Sequence, residues 1–191
     1  MGQYCAVAIE PDTKDWTWVL TQPCQECGFA AGEVTKEEIG GHLLRAAEAL
    51  VTALQQPDSA RRPAPGVWSP LEYACHVRDA YRVFGGRLHR MLTEHDPAFD
   101  NWDQDATALE GGYDLQEPDV VARQLTAEAR TLAGAWDALP PEAWGRRGSR
   151  GDGAVFTVLS LGQYLVHDPV HHVFDATGVA QGPHRPTEAP A

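Results

Sequence analysis

Basic residues are scarce in this chain: 15 Lys and Arg face 27 Asp and Glu, a formal charge of -12. That balance repels a phosphate backbone, so nucleic acid is not expected as a partner. Long hydrophobic runs are missing as well. Every apolar stretch is broken within a few residues by polar ones, short of the roughly 20 needed to span a bilayer, and no membrane partner is expected. The opening Met1-Gly2-Gln3-Tyr4-Cys5-Ala6 has no basic segment leading into an apolar core, so no secretory signal is expected there. A cytoplasmic, reducing location follows, in which the four cysteines serve as thiols or ligands rather than disulfides. At 191 residues the chain is long enough for one domain with a substantial core and too short for two of full size.

What is present is helical periodicity after an irregular start. Residues 1–34 hold Pro11, Pro23, Gly28 and Gly32 without sustained period and read as an arm. Thr35-Lys36-Glu37-Glu38 has the form of a capping box, and Ile39, Leu43, Ala47, Leu50 and Leu54 follow at steps of three and four, predicting a helix over about 36–56. Ser69-Pro70-Leu71-Glu72 is a second box with proline at the first helical position; Val77, Tyr81, Phe84, Leu88 and Met91 carry the stripe over about 70–93. The polar stretch from about 95 to 116 shows neither period and reads as a long connection of the kind that often carries function. Pro118 opens a third helix over about 118–139, with Val121, Leu125, Leu132, Trp136 and Leu139 on its buried side. The glycine- and arginine-rich segment 145–153 is a solvated hairpin or loop on the plainer reading, and an anion-binding lip on the sharper one.

The last segment is ambiguous. Thr157 can cap a helix that ends at Gly178, but Pro169 removes a backbone donor and clashes with the Leu165 carbonyl. Local rules leave two readings open: a helix kinked at Pro169, or a strand over 155–166 followed by a new helix at Asp168-Pro169. From Gly182 the tail, rich in proline and alanine, is expected to be disordered.

Three histidines carry the chemistry. His167 and His171 are four residues apart, so on one helix their imidazoles stack on the same face, where they can share a metal ion with His76 from a neighbouring helix. His172 points about 100° away from His171 and reads as an outer-face residue or one that supports a ligand. No Glu follows the first His to make a His-Glu-x-x-His motif. Cys24-x-x-Cys27 lacks a second Cys-x-x-Cys, or paired histidines at the expected spacing, to complete a zinc site. Its readings are therefore a structural role, redox work or metal binding. Cys75 precedes His76 and points away from its face, as buried filler. Asp79 lies one turn beyond His76 and could orient a ligand, as could Asp168 or Asp175 on the last helix; each also reads as a plain surface carboxylate.

The segment Trp68-Ser69-Pro70-Leu71-Glu72-Tyr73-Ala74-Cys75-His76-Val77-Arg78-Asp79, with the later His167-Asp168-Pro169-Val170-His171-His172, resembles the DinB-like four-helix superfamily. That superfamily includes mycothiol-dependent maleylpyruvate isomerases and bacillithiol and mycothiol S-transferases. The resemblance covers about residues 35–178. It implies an all-α four-helix bundle over 35–178, an irregular N-terminal arm over 1–34 and a flexible tail over 179–191, with a kinked last helix rather than a strand. It also implies a divalent metal, zinc or nickel, held by His76, His167 and His171. The arm from Trp16 through Cys24-Gln25-Glu26-Cys27 looks like that of actinobacterial members, which use mycothiol, and dimers are common among such proteins.

Three neutral imidazoles leave an ion its full charge and an open position for a thiol or water. The leading expectation is a metal-dependent thiol S-transferase or thiol-assisted isomerase, with mycothiol as cosubstrate and a small electrophile as its second substrate. The alternatives are a metal-dependent hydrolase or cyclase without thiol, and a non-catalytic metal- or ligand-binding stress protein.

Overall fold

A computed structural model of the chain describes residues 15–180. The opening residues with Cys5, and the tail from Gly182 with the disorder expected of it, lie outside the described residues. Four long helices form the core: α1 (Ile39–Leu54), α2 (Pro70–Thr93), α4 (Pro118–Asp137) and α5 (Val158–Thr177), with the short α3 (Gln104–Glu110) lying between α2 and α4 in sequence. Helices α1 and α2 each pack against both α4 and α5, which places α4 and α5 on opposite sides of the α1–α2 pair. The interior is filled by the periodic residues of each helix, among them Leu43, Leu50, Leu71, Leu88, Leu125, Trp136, Leu161 and Leu165. Tyr81 spans the core and donates its hydroxyl to the Leu43 carbonyl at 2.8 Å.

The helix starts follow from local chemistry. At α2 the Ser69 side chain accepts from the Glu72 backbone N–H and the Glu72 carboxylate accepts from the Ser69 N–H, so the predicted box forms in both directions. At α1 the Glu38 carboxylate accepts from the Thr35 N–H and hydroxyl, but residues 36–38 are turn and the helix proper begins at Ile39. Thr157 and Ser160 make a capping box for α5, and Gly178, at φ 70°, ends it in the left-handed conformation. Helix α5 is continuous through Pro169. The lost backbone bond costs on the order of 3 kcal/mol, and the burial of Leu161, Leu165, Val166, Val170 and Val173 on the same helix offsets it. The reading with a strand over 155–166 is thus replaced by a three-residue strand, β3 (Val155–Thr157), leading straight into the helix.

That strand pairs antiparallel with β2 (Arg147–Arg150), which pairs parallel with β1 (Ala98–Phe99). The 145–153 segment is therefore a hairpin, and the 95–116 connection contains β1, α3 and a 3-10 turn at Tyr113–Leu115. The arm is irregular but packed. After a 3-10 turn at Trp16–Leu20, capped by Asp15, the chain buries Val19, Cys24, Cys27, Phe29 and Ala31. The Gln163 side-chain amide on α5 donates to the Gly32 and Val34 carbonyls, both at 3.0 Å, and so fixes the end of the arm to the last helix. No helix among the described residues is long and apolar enough to cross a membrane.

Candidate metal centres

Helix α5 carries two overlapping pairs at four-residue spacing, His167 with His171 and Asp168 with His172. Because adjacent residues on a helix diverge by about 100°, the pairs occupy neighbouring faces. One face looks toward the arm and the other toward α2, and each meets chemically matched residues there.

On the arm side, the turn at Cys24–Cys27 brings two buried free thiols against the first pair. Cys24 Sγ lies 3.6 Å from His171 Nδ1, and Cys27 Sγ lies 3.9 Å from His167 Nε2. One donor atom from each of the four residues falls within 4.8 Å of the other three. Burial lowers the pKa of His167 to about 4, with a further contribution from His171, and burial pushes the Cys27 thiol up to about 12. The Trp16 ring covers both imidazoles, at 5.4 Å from His167 and 5.2 Å from His171.

On the α2 side, His76, Asp168 and His172 form a second group whose donor atoms also lie within 4.8 Å. His76 Nε2 is 3.3 Å and His172 Nε2 is 3.6 Å from Asp168 Oδ1. His172 Nδ1 meets Asp175 Oδ2 at 2.9 Å, which fixes the ring so that Nε2 turns inward. His76 is fully buried, its ring stacked on Trp102 at 5.1 Å and 14° and tilted against Trp68 at 5.4 Å. Burial alone would raise the Asp168 carboxyl, but the neighbouring His76 and His172 hold it well below the usual carboxylate range. Burial alone would lower His172; Asp168 and Asp175 outweigh it and raise the imidazole to about 9.

Two buried polar atoms of this second group, His76 Nδ1 and Asp168 Oδ2, have no hydrogen-bond partner. A carboxylate with a buried spare oxygen, two imidazole nitrogens converging on it, and a carboxylate bracing one of those rings is a donor set that fits a divalent cation. Asp175 also reaches the other group, since its Oδ1 lies 3.6 Å from His171 Nε2.

A cavity of about 590 Å³ opens beside both groups. Asp168, His172, His167 and His171 line it, as do Arg87 and Arg150 and the carboxylates of Asp15, Asp103, Asp105 and Asp152. Arg87 is packed between the Phe84 and Phe99 rings and donates to the Asp100 carbonyl at 3.0 Å, while Arg150 is paired with Asp152 and donates to the Tyr164 hydroxyl. Trp16 from the arm and Trp102 from the 95–116 connection supply the aromatic part of the wall.

The structure therefore divides the three histidines expected to share one ion. His167 and His171 stand together with the two cysteines, and His76 stands with Asp168 and His172. His172, read as an outer-face residue or one that supports a ligand, is partly buried and stands within its group, its ring 4.7 Å from that of His76. Cys24 and Cys27 do have paired histidines, but these lie 140 and more residues downstream, outside any local spacing rule. Asp79 does not orient a ligand: it accepts from Arg78, Arg82 and the Tyr113 hydroxyl. Cys75 is buried filler, as its position implied. The signal that could have found the second group was present in the sequence, because Asp168-x-x-x-His172 repeats the His167-x-x-x-His171 spacing one residue on.

Comparison with known proteins gives two findings. The family model of the DinB superfamily matches residues 42–174. A solved structure, YfiT from Bacillus subtilis, described as a probable metal-dependent hydrolase with an unusual four-helix bundle topology, is similar to this chain with a TM-score of 0.68. The two are 19% identical, and the match covers 82% of this chain and 90% of that one, a likeness of fold. No curated protein sequence matches.

Proposed function

The chain belongs to the DinB superfamily, and from that premise we propose that it is a metal-dependent enzyme that activates a small nucleophile against a small electrophile. The observation that carries the reading is the convergence of His76, Asp168 and His172, of which Asp168 and His172 line the 590 Å³ cavity and His76 lies buried behind them. These three residues would hold the ion, keeping His76 from the sequence-derived set and taking Asp168 and His172 in place of His167 and His171. A divalent ion bound by two imidazoles and one carboxylate keeps open positions, acts as a Lewis acid and makes a bound water or thiol a nucleophile near neutral pH.

The protein residues do the remaining work. Asp175 holds the His172 ring in one orientation through Nδ1. Trp102 and Trp68 pack on the His76 ring and keep bulk water from that side. Arg87 and Arg150 line the cavity together with Asp15, Asp103, Asp105, Asp152 and Asp168, so a substrate there meets charge of both signs.

Water is the favoured nucleophile, because two histidines with one carboxylate is the ligand set of water-activating zinc hydrolases. Thiol transfer, with mycothiol as cosubstrate, is the second reading; the cavity is large enough for a ligand of drug-like size, which leaves room for a thiol beside an electrophile. Both readings place the protein in a reducing cytoplasm.

The test is a panel of esters, amides, epoxides and unsaturated acids, incubated with zinc- or nickel-loaded protein with and without mycothiol. Turnover without thiol that disappears in Asp168→Asn supports hydrolysis, and thiol-dependent product that disappears in the same variant supports transfer. One divalent ion fewer per chain in His76→Ala accompanies either. Wild type and Asp168→Asn with identical metal content would sink the proposal.

A further inference from the structure

The two groups on α5 differ in donor chemistry, since only the one facing the arm contains sulfur. Two thiolates with two imidazoles is a donor set of structural zinc sites, which take four protein ligands in a tetrahedron and leave no open position. Zinc–sulfur and zinc–nitrogen lengths of about 2.3 and 2.0–2.1 Å, combined at tetrahedral angles, put sulfur and nitrogen roughly 3.6 Å apart. Cys24 Sγ to His171 Nδ1 at 3.6 Å and Cys27 Sγ to His167 Nε2 at 3.9 Å fall close to that spacing. We propose that Cys24, Cys27, His167 and His171 form a second metal site, a structural zinc site that fastens the N-terminal arm to the last helix.

The local geometry is arranged for it. The Gly28 N–H donates to the Cys24 carbonyl at 2.8 Å and the Cys24 N–H to the Phe29 carbonyl at 2.9 Å, closing a tight turn that puts both sulfurs on one side. Gly28 takes φ 75°, a left-handed conformation that the turn requires and that side chains disfavour. His171 offers Nδ1 to the sulfur side while its Nε2 lies 3.5 Å from Glu26 and 3.6 Å from Asp175, the arrangement in which one ring nitrogen binds metal and the other donates to a carboxylate. All four residues are buried and both sulfurs are free thiols. Zinc enters as the divalent ion, each cysteine gives up its proton to solvent, and no electron is exchanged.

The site shapes the cavity as well as the arm. Trp16 packs on both of its histidines, tilted on His167 and edge-on to His171, and with Asp15 lines the cavity. Asp175 touches both groups, through Oδ1 to His171 and Oδ2 to His172, so an ion at the first steadies a carboxylate that braces the second.

The experiment is titration of metal-depleted, tag-free full-length protein with cobalt(II). We expect a thiolate-to-cobalt charge-transfer band together with the intense visible bands of a tetrahedral ion, and loss of Cys24 and Cys27 alkylation by mass spectrometry as the ion binds. The band persists in Asp168→Asn and disappears in Cys27→Ser. Persistence in Asp168→Asn separates this site from the proposed catalytic centre, so either can fail alone. If Cys27→Ser does not fold, the wild-type spectrum and alkylation pattern decide. No sulfur charge-transfer band at saturating cobalt, or cysteines equally reactive with and without metal, overturns the proposal.

Discussion

Asp168 and Asp175 are about two helical turns apart, and each acts on histidines of α5. Asp168 is partly buried and faces two imidazoles, which hold its carboxyl in the charged form. Replacing it with Asn keeps the volume and removes the charge. We expect Asp168→Asn to lose about one divalent ion per chain, read by elemental analysis, and with it any turnover. Asp175 bonds the outer nitrogen of His172 rather than facing the ion. Asp175→Asn should therefore retain metal but weaken its binding about 10–100-fold, measured by competition with a chelator of known affinity. Equal affinity in wild type and this variant would show that the His172 ring needs no such brace.

At the scale of elements, the start of α2 concentrates several interactions on one carboxylate. Glu72 accepts from the Ser69 N–H and hydroxyl and from Arg62, whose Nε lies 2.9 Å from Oε2. Burial pushes its pKa up, but the bonds from Arg62 and Ser69 prevail and hold it below the ordinary value. A carboxylate depressed in the folded state stabilises the protein at pH above its unfolded value of about 4.3, and that contribution is lost as pH falls through the folded value. Glu72→Gln should cost about 1–3 kcal/mol in urea unfolding at pH 7, with the gap to wild type closing as the pH is taken below about 4. Helix α5 meets a different constraint at Gly162, where an added Cβ would stand 2.6 Å from Ile39 Cδ1 and 3.1 Å from the Trp136 ring. Alanine gains about 1 kcal/mol of helix preference there and overpacks the contact by about 1–3 kcal/mol, so Gly162→Ala should lower the thermal midpoint. A midpoint above wild type would mean that Ile39 yields without cost.

At the scale of the molecule, the arm is the part whose attachment depends least on the bundle's own pattern. It is held by Val19, Phe29 and Ala31 in the core, by Gln163, and by the cysteine–histidine group. Chelation should leave the helical circular dichroism largely intact and open residues 15–34 to limited proteolysis; cleavage spread evenly through the bundle would argue instead that the ion supports the whole core. Helices α1, α2 and α4 were legible in the sequence because each buries one stripe, and a stripe at the helical period can be read without knowing its neighbour; α5 was left open against a strand because Pro169 interrupts its pattern. Helix α2 ran over its expected range because the Ser69 box and Pro70 mark its start in local chemistry. Helix α3 was missed because it buries no residue and so leaves no stripe. The site was half legible. The sequence by itself determined that α5 presents histidines at metal-ligating spacing, for helical geometry converts spacing into a shared face. Tertiary structure alone decided which face meets which partner, because His167-x-x-x-His171 and Asp168-x-x-x-His172 have the same spacing, and only the placement of the arm on one side and α2 on the other assigns the cysteines to the first and His76 to the second.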